Sequence, residues 1–244
     1  MLFLEGSRSY SMKKNKSIVF QTLVDFIFPR HCYGCETNLE FYEEFLCLSC
    51  QINLPLTELH LTKENPLFQK IKSRFTLQAA TSLFYFEKDG VLSRLIHLFK
   101  YKGAKKIAVF LGDWLGESIA ESPFFNEVDG IVPVPLHPAK KRKRGYNQSY
   151  IIATALSNKM KLPLFSDLLI RVKNTTALAL LGESEREQEV KNAFKLNPKK
   201  TSHPQHLLLV DDVLTTGSTL AACASALFVN HNIKLSIAVL ACRL

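Results

Sequence analysis

The run Leu207-Leu208-Leu209-Val210 leads directly into Asp211-Asp212-Val213-Leu214-Thr215-Thr216-Gly217-Ser218-Thr219, and this stretch does most to restrict the fold. Four consecutive branched apolar residues have the length and β character of a strand buried on both faces. From Ser218 onward, Leu220, Ala221, Ala224, Leu227 and Phe228 fall at helical spacing. The residues between them therefore form a turn at the carboxyl end of a buried strand, the place where open α/β sheets hold their ligands.

The turn of Thr215, Thr216, Gly217, Ser218 and Thr219 can aim several backbone N–H groups and hydroxyls at one phosphate, and the following helix adds partial positive charge. Gly217 allows close backbone approach. The carboxylates of Asp211 and Asp212 would repel a phosphate but can each accept hydrogen bonds from vicinal ribose hydroxyls. Pair and turn together describe a site for a ribose 5-phosphate spanning residues 211–219, with Val213 and Leu214 joining its halves. The alternative is an ordinary strand-to-helix turn with N-capping hydroxyls. The pattern resembles the 5-phosphoribosyl pyrophosphate (PRPP) motif of type I phosphoribosyltransferases.

With 244 residues, 47% of them hydrophobic, the chain can bury a full core and still carry an appended module. No apolar run reaches the roughly 18 residues of a membrane span, and the N-terminal stretch lacks an unbroken apolar segment followed by a small-residue cleavage site. A cytoplasmic protein is expected. Residues 1–17 read as disordered, and either Met1 or Met12 can be the initiator, since Met12-Lys13-Lys14-Asn15-Lys16 opens directly into an amphipathic stretch. The formal charge of +9 favours polyanionic partners such as nucleotides, pyrophosphate or nucleic acid without choosing among them.

Four of the six cysteines form two close pairs, Cys32-x2-Cys35 and Cys47-x2-Cys50, eleven residues apart. Each pair can turn two thiolates toward one ion, and four sulfurs close a tetrahedral zinc sphere with no open position for a substrate water. Such a site is structural, and it would hold together a segment too small to fold by burial alone. Cys223 and Cys242 read as core residues.

The chain is expected to divide into a zinc-binding module at 18–60, a connector or hood at 61–80 and a larger domain at 81–244. Within the latter, Leu83-Phe84-Tyr85-Phe86 reads as a strand, 91–100 as a helix in which His97 packs, and 105–120 as a second helix. Asp129-Gly130-Ile131-Val132-Pro133-Val134-Pro135-Leu136-His137 reads as a strand ending in a stiff loop. The five cations Lys140-Lys141-Arg142-Lys143-Arg144 would follow as a basic loop overhanging the ligand crevice. Arg144 is the expected pyrophosphate contact, because a guanidinium grips phosphate oxygens bidentately, and Gly145 would let the loop fold over.

In this order, the cysteine knuckle, Pro133-Val134-Pro135-Leu136-His137, Arg144-Gly145-Tyr146-Asn147-Gln148 and the Asp211-Asp212 motif resemble the ComF family over nearly the whole chain. Supporting blocks stand at Phe28-Pro29-Arg30-His31-Cys32, at Ile96-His97-Leu98-Phe99-Lys100-Tyr101-Lys102-Gly103, and at Glu185-Arg186 with Ala193-Phe194. Leu178 and Glu189, on either side of Arg186, depart from the family's glutamine and asparagine. The resemblance implies a zinc module fused to a type I phosphoribosyltransferase domain, with links to DNA uptake in transformable bacteria.

The expected fold is thus α/β, a mainly parallel, doubly wound sheet with helices on both faces. As an enzyme the chain would bind PRPP with Mg²⁺ held mainly by ligand oxygens. Asp211 and Asp212 would fix the ribose and stabilise charge at C1, while Arg144 neutralises the leaving pyrophosphate. The rival reading is a non-catalytic accessory of transformation that binds nucleotides or single-stranded DNA through its basic run and contacts other transformation proteins. Against it, only Tyr146 and Tyr150 lie near that run to stack on bases.

Overall fold

In the computed structural model, which describes residues 28–173, 192–199, 204–228 and 233–244, the runs apolar on both sides become four parallel strands. They are β1 (Ala80–Tyr85), β2 (Gly130–Pro133), β5 (His206–Leu214) and β6 (Lys234–Cys242), and they lie side by side in the order β1-β6-β5-β2. Central β6 is buried from Leu235 to Cys242 and β5 from His206 to Val210, as a sheet covered on both faces requires. Between β2 and β5 in sequence, β3 (Leu169–Arg171) and β4 (Phe194–Leu196) pair antiparallel as a separate ribbon.

Side-chain alternation sorts the helices. Val132, Leu207, Leu209, Leu235, Ile237 and Val239 share one core with Leu67 and Ile71 of α2 (Pro66–Lys72), with α7 (Ser218–Phe228) and with the ribbon. The intervening residues Ile131, Leu208, Val210, Ala238 and Leu240 are equally buried and lie outside that cluster. Their face is covered by α4 (Lys105–Ala120) and α6 (Gln148–Met160), which pack against the strands and against each other. A Cβ on Gly112 would stand 2.8 Å from Ala155 Cβ and 3.2 Å from the Ile152 backbone, so the two helices approach as closely as they do because α4 carries no side chain there. This is the doubly wound α/β architecture expected of a type I phosphoribosyltransferase-like domain.

The chain divides after Ile52 into two compact units. The first contains the cysteine segment and the short helix α1 (Leu48–Ile52). In the second, Leu59, Leu67, Ile71 and Leu77, from the stretch ahead of β1, are buried in the core of the sheet.

Three local expectations are corrected. Residues 140–144 are not a loop but the body of helix α5 (Pro138–Arg144): His137 Nδ1 accepts from Ala139 N at 3.2 Å, Pro138 occupies the first turn, and Gly145, at φ +83°, ends the helix. Gly145 therefore serves as a left-handed cap and not as a hinge. Asp211 and Asp212 belong to β5, because Val213 and Leu214 continue the pairing with Ala241 and Cys242. His97, expected to pack, is exposed on α3 (Val91–Tyr101), its ring 5.1 Å from that of Tyr101. Expectations for residues 1–27 and for Leu178, Glu185, Arg186 and Glu189 fall outside the described residues. Among the described residues no helix is long and apolar enough to cross a membrane.

Candidate functional site

The four knuckle cysteines converge. The sulfurs of Cys32, Cys35, Cys47 and Cys50 all lie within 4.8 Å of one another, and those of Cys35 and Cys47 are 3.6 Å apart. Sulfurs about 2.3 Å from a tetrahedral zinc stand about 3.8 Å from each other, so the cluster fits that ion. Backbone amides are already turned toward the sulfurs: Gly34 N and Cys47 N each donate to Cys32 Sγ at 3.3 Å. Hydrogen bonds from Thr37 pull the exposed Cys35 thiol down to about 6, whereas burial pushes the Cys50 thiol up. Around the cluster, the Glu43 carboxylate accepts from Leu48 N at 2.6 Å and Glu40 N at 2.9 Å, while Arg30 Nη1 donates to Glu43 O at 2.6 Å.

In the second unit, β5 ends at Leu214 and the chain turns through Thr215, Thr216 and Gly217 into α7. Asp211 together with residues 213–220 lines a small cleft. Thr216 Oγ1 lies 3.0 Å from Ser218 Oγ and accepts from Ser218 N at 3.4 Å, holding the hydroxyls as one group. Gly217 adopts φ +82°, a left-handed conformation open to glycine, and a Cβ there would meet Ile71 Cδ1 at 2.6 Å. The same point is 3.7 Å from Arg74 Nε, so α2 and Arg74, two residues beyond its end, brace the turn. No local signal marks Arg74 for this place, because it reaches the turn from more than a hundred residues away.

The two carboxylates are each half engaged. Asp211 Oδ1 accepts from Ser149 Oγ at 2.7 Å and from Asp212 N at 2.9 Å. Asp212 Oδ2 lies 2.9 Å from Lys100 Nζ. Among the described residues, Asp211 Oδ2 and Asp212 Oδ1 accept no protein hydrogen bond, which leaves one oxygen of each acid for a ligand. Burial, and secondarily the Asp212 charge, raise Asp211 to about 7, against the opposing pull of Ser149, the Asp212 amide and Lys100.

Lys100 comes from the last turn of α3. Tyr146, in the segment linking α5 to α6, donates its hydroxyl to the Phe99 carbonyl, and Asn147 Nδ2 donates to Val134 O at 2.9 Å. These ties bring α3 and α5 together around a cavity of about 390 Å³ lined by Lys100, Tyr101, Lys140, Lys143 and Arg144. The Arg144 guanidinium lies 5.1 Å over the Tyr101 ring. Burial lowers the pKa of Lys140, and so do Arg171 and Arg144. Arg171, at the end of β3, has its own pKa lowered by burial and held up by Cys223 and Asp211, and it stacks 5.1 Å from the Phe194 ring. Lys100 stands in a block that supports the family resemblance and Arg171 in none, and neither was tied to the acids by sequence; both join them only through the fold. Cys223 and Cys242 are buried, as expected of core residues.

No protein-family model matches the chain. Among curated proteins it is 33% identical over 217 residues to DNA utilization protein YhgH of Escherichia coli, covering 83% of this chain and 92% of that one. It is 29% identical over 204 residues to Competence protein F of Haemophilus influenzae, covering 79% and 88%. To Competence protein ComFC of Bacillus subtilis it is 23% identical over 199 residues, covering 80% and 77%. With the four-cysteine knuckle and the parallel sheet in place beside these likenesses, the chain belongs to the ComF family.

Proposed function

We propose that the second unit binds PRPP and acts as a phosphoribosyltransferase. One observation carries this reading: a hydroxyl-rich turn, two carboxylates with an open oxygen each, and a cationic cavity follow one another across one end of the sheet, matching the order phosphate, ribose, pyrophosphate in the ligand. Residues 215–219 take the 5-phosphate at the start of α7. Asp211 and Asp212 accept from the ribose hydroxyls, and Arg144, with the lysines beside it, takes the pyrophosphate. Breaking the bond from C1 to the pyrophosphate oxygen sends the electron pair with the leaving group and builds positive charge on the sugar, which the two carboxylates stabilise. Mg²⁺ would be held chiefly by ligand oxygens beside the carboxylates of Asp211 and Asp212, and would supply further charge neutralisation of the pyrophosphate.

Calorimetry with PRPP and Mg²⁺ tests the reading. Asp212→Asn should weaken binding about tenfold while the chain stays folded, and Gly217→Val should weaken it more, because the side chain meets Ile71 and opposes the positive φ. Equal affinity in wild type and both variants removes the phosphoribosyl reading. Pyrophosphate release against a panel of bases and nucleic acids then identifies an acceptor.

We also propose that the knuckle holds one structural zinc on Cys32, Cys35, Cys47 and Cys50, and that the protein works in the cytoplasm on DNA entering the cell, alongside transformation proteins. The names of its relatives, competence and DNA utilization, support a role in DNA handling. A non-catalytic version of that role is favoured by α5, on which Lys141, Arg142 and Lys143 are exposed to solvent. Single-stranded DNA bound there should show weak sequence preference and a steep loss of affinity with salt, and replacing residues 140–144 by glutamine should flatten that slope.

A further inference from the structure

Lys100 belongs to both halves of the candidate site. Its ammonium is 2.9 Å from Asp212 Oδ2, and the same side chain lines the cavity with Lys140, Lys143 and Arg144. The pair is mostly shielded, at 20% and 13% side-chain exposure, so solvent screens it less than a surface pair. The cavity gathers four cations, and among them Lys100 is the one whose ion pair with a carboxylate faces the ribose position. An anion entering the cavity competes with Asp212 for this ammonium. Vicinal sugar hydroxyls that engage both oxygens of Asp212 compete with Lys100 for Oδ2.

We propose that Lys100 couples the two halves of the site, so that an anion of the pyrophosphate class in the cavity and a ribose 5-phosphate at the carboxylates each strengthen binding of the other. The inference rests on the phosphoribosyl reading of the site. In the empty protein the ion pair occupies Asp212 Oδ2, so that a sugar finds only Oδ1 open, and it holds Lys100 away from a phosphate. Whichever ligand binds first meets the cost of opening the pair, and the second finds its partner already released. The coupling is reciprocal by thermodynamic necessity. It also runs against the mutual repulsion of two phosphorylated ligands, which alone would make each weaken the other.

The test is calorimetry on the full chain at fixed free Mg²⁺, titrating pyrophosphate with and without saturating ribose 5-phosphate and then exchanging their order. Wild type should bind the second ligand about 10-fold more tightly than the first titration predicts, equally in both orders. Lys100→Gln should bring that factor to about one. Asp212→Asn removes the other member of the pair and should do the same, so the result does not hang on one variant's folding. Lys143→Gln should weaken pyrophosphate binding severalfold yet leave the coupling in place. Coupling that persists in Lys100→Gln overturns the inference, as does wild type binding both ligands independently or antagonistically. If wild type binds neither ligand, the phosphoribosyl reading falls and the coupling with it.

Discussion

The knuckle and the α/β unit are stabilised by different means. In the described part of the knuckle, 28–52, Leu46 is the sole buried hydrophobic residue besides Cys32 and Cys50, and much of the rest of its order comes from polar ties through Arg30 and Glu43. In the α/β unit, two covered sheet faces bury whole strands of Leu, Ile and Val, and polar groups cluster at one end where the site lies. The contrast shows where each unit is vulnerable. The small one depends on its cluster of four sulfur atoms, whereas the large one depends on packing and tolerates charge at the end that carries the candidate site.

Removing the sulfur centre should produce the largest effect. Zinc-linked folding of small cysteine modules is worth about 10 kcal/mol or more at neutral pH, so a chelator or Cys47→Ser should unfold the knuckle and release about one equivalent of metal. Metal analysis with limited proteolysis checks this, and the α/β unit should keep its own thermal transition. A knuckle that stays protease-resistant without metal breaks the comparison.

Next comes packing. Gly112→Val forces a branched side chain into contacts already at 2.8 Å from Ala155 Cβ and should cost about 3 kcal/mol by chemical denaturation. Zinc content should not change. A loss of metal in this variant would show that the two units do not stand on separate supports.

The ligand end should respond to pH in the direction opposite to a paired carboxylate. Asp211 is raised to about 7 in the folded chain, so the fold favours its neutral form. The stability this gives is fully present below the ordinary carboxylate range and is lost as pH rises through about 7. Asp211→Asn removes that loss: it should be more stable than wild type by about 2 kcal/mol near pH 8 and indistinguishable near pH 4. Thermal melts at both pH values decide it, and an equal effect at the two would show that burial does not raise the proton affinity of Asp211.

The smallest effect belongs to the polar ties of the knuckle. Glu43→Gln leaves one acceptor for the two amides of Glu40 and Leu48 and should cost about 1 kcal/mol with metal bound. Resistance of the metal-loaded knuckle to proteolysis measures it.

The strand, turn and helix at 206–228 were legible because each signal is local: an apolar run, a glycine that must adopt positive φ, and helical spacing afterwards. Cysteine spacing was legible for the same reason. Helix α5 was missed because it buries no residue, so it carries no hydrophobic period, although its termini, His137-Pro138 and Gly145, bore the start and stop signs. The strand was ended too early at Val210 because two acids interrupt its apolar run, while backbone pairing to β6 takes no notice of side-chain charge. Lys100 and Arg171 reach the acids from α3 and from the ribbon, and only the assembled fold shows it.

The close approach of α4 and α6 carries a consequence for the chemistry of the site. Ser149 sits about one turn before Ile152 and two before Ala155, the residues that meet Gly112, and its hydroxyl restrains the upward drift of Asp211. The helix that carries this hydroxyl is the one seated against α4 at Gly112, so the contact to the acid and the contact between the helices share one support. Bulk added at Gly112 or Gly116 would act as a wedge, lifting Ser149 from the carboxylate and retuning its acidity without altering any group that faces the ligand.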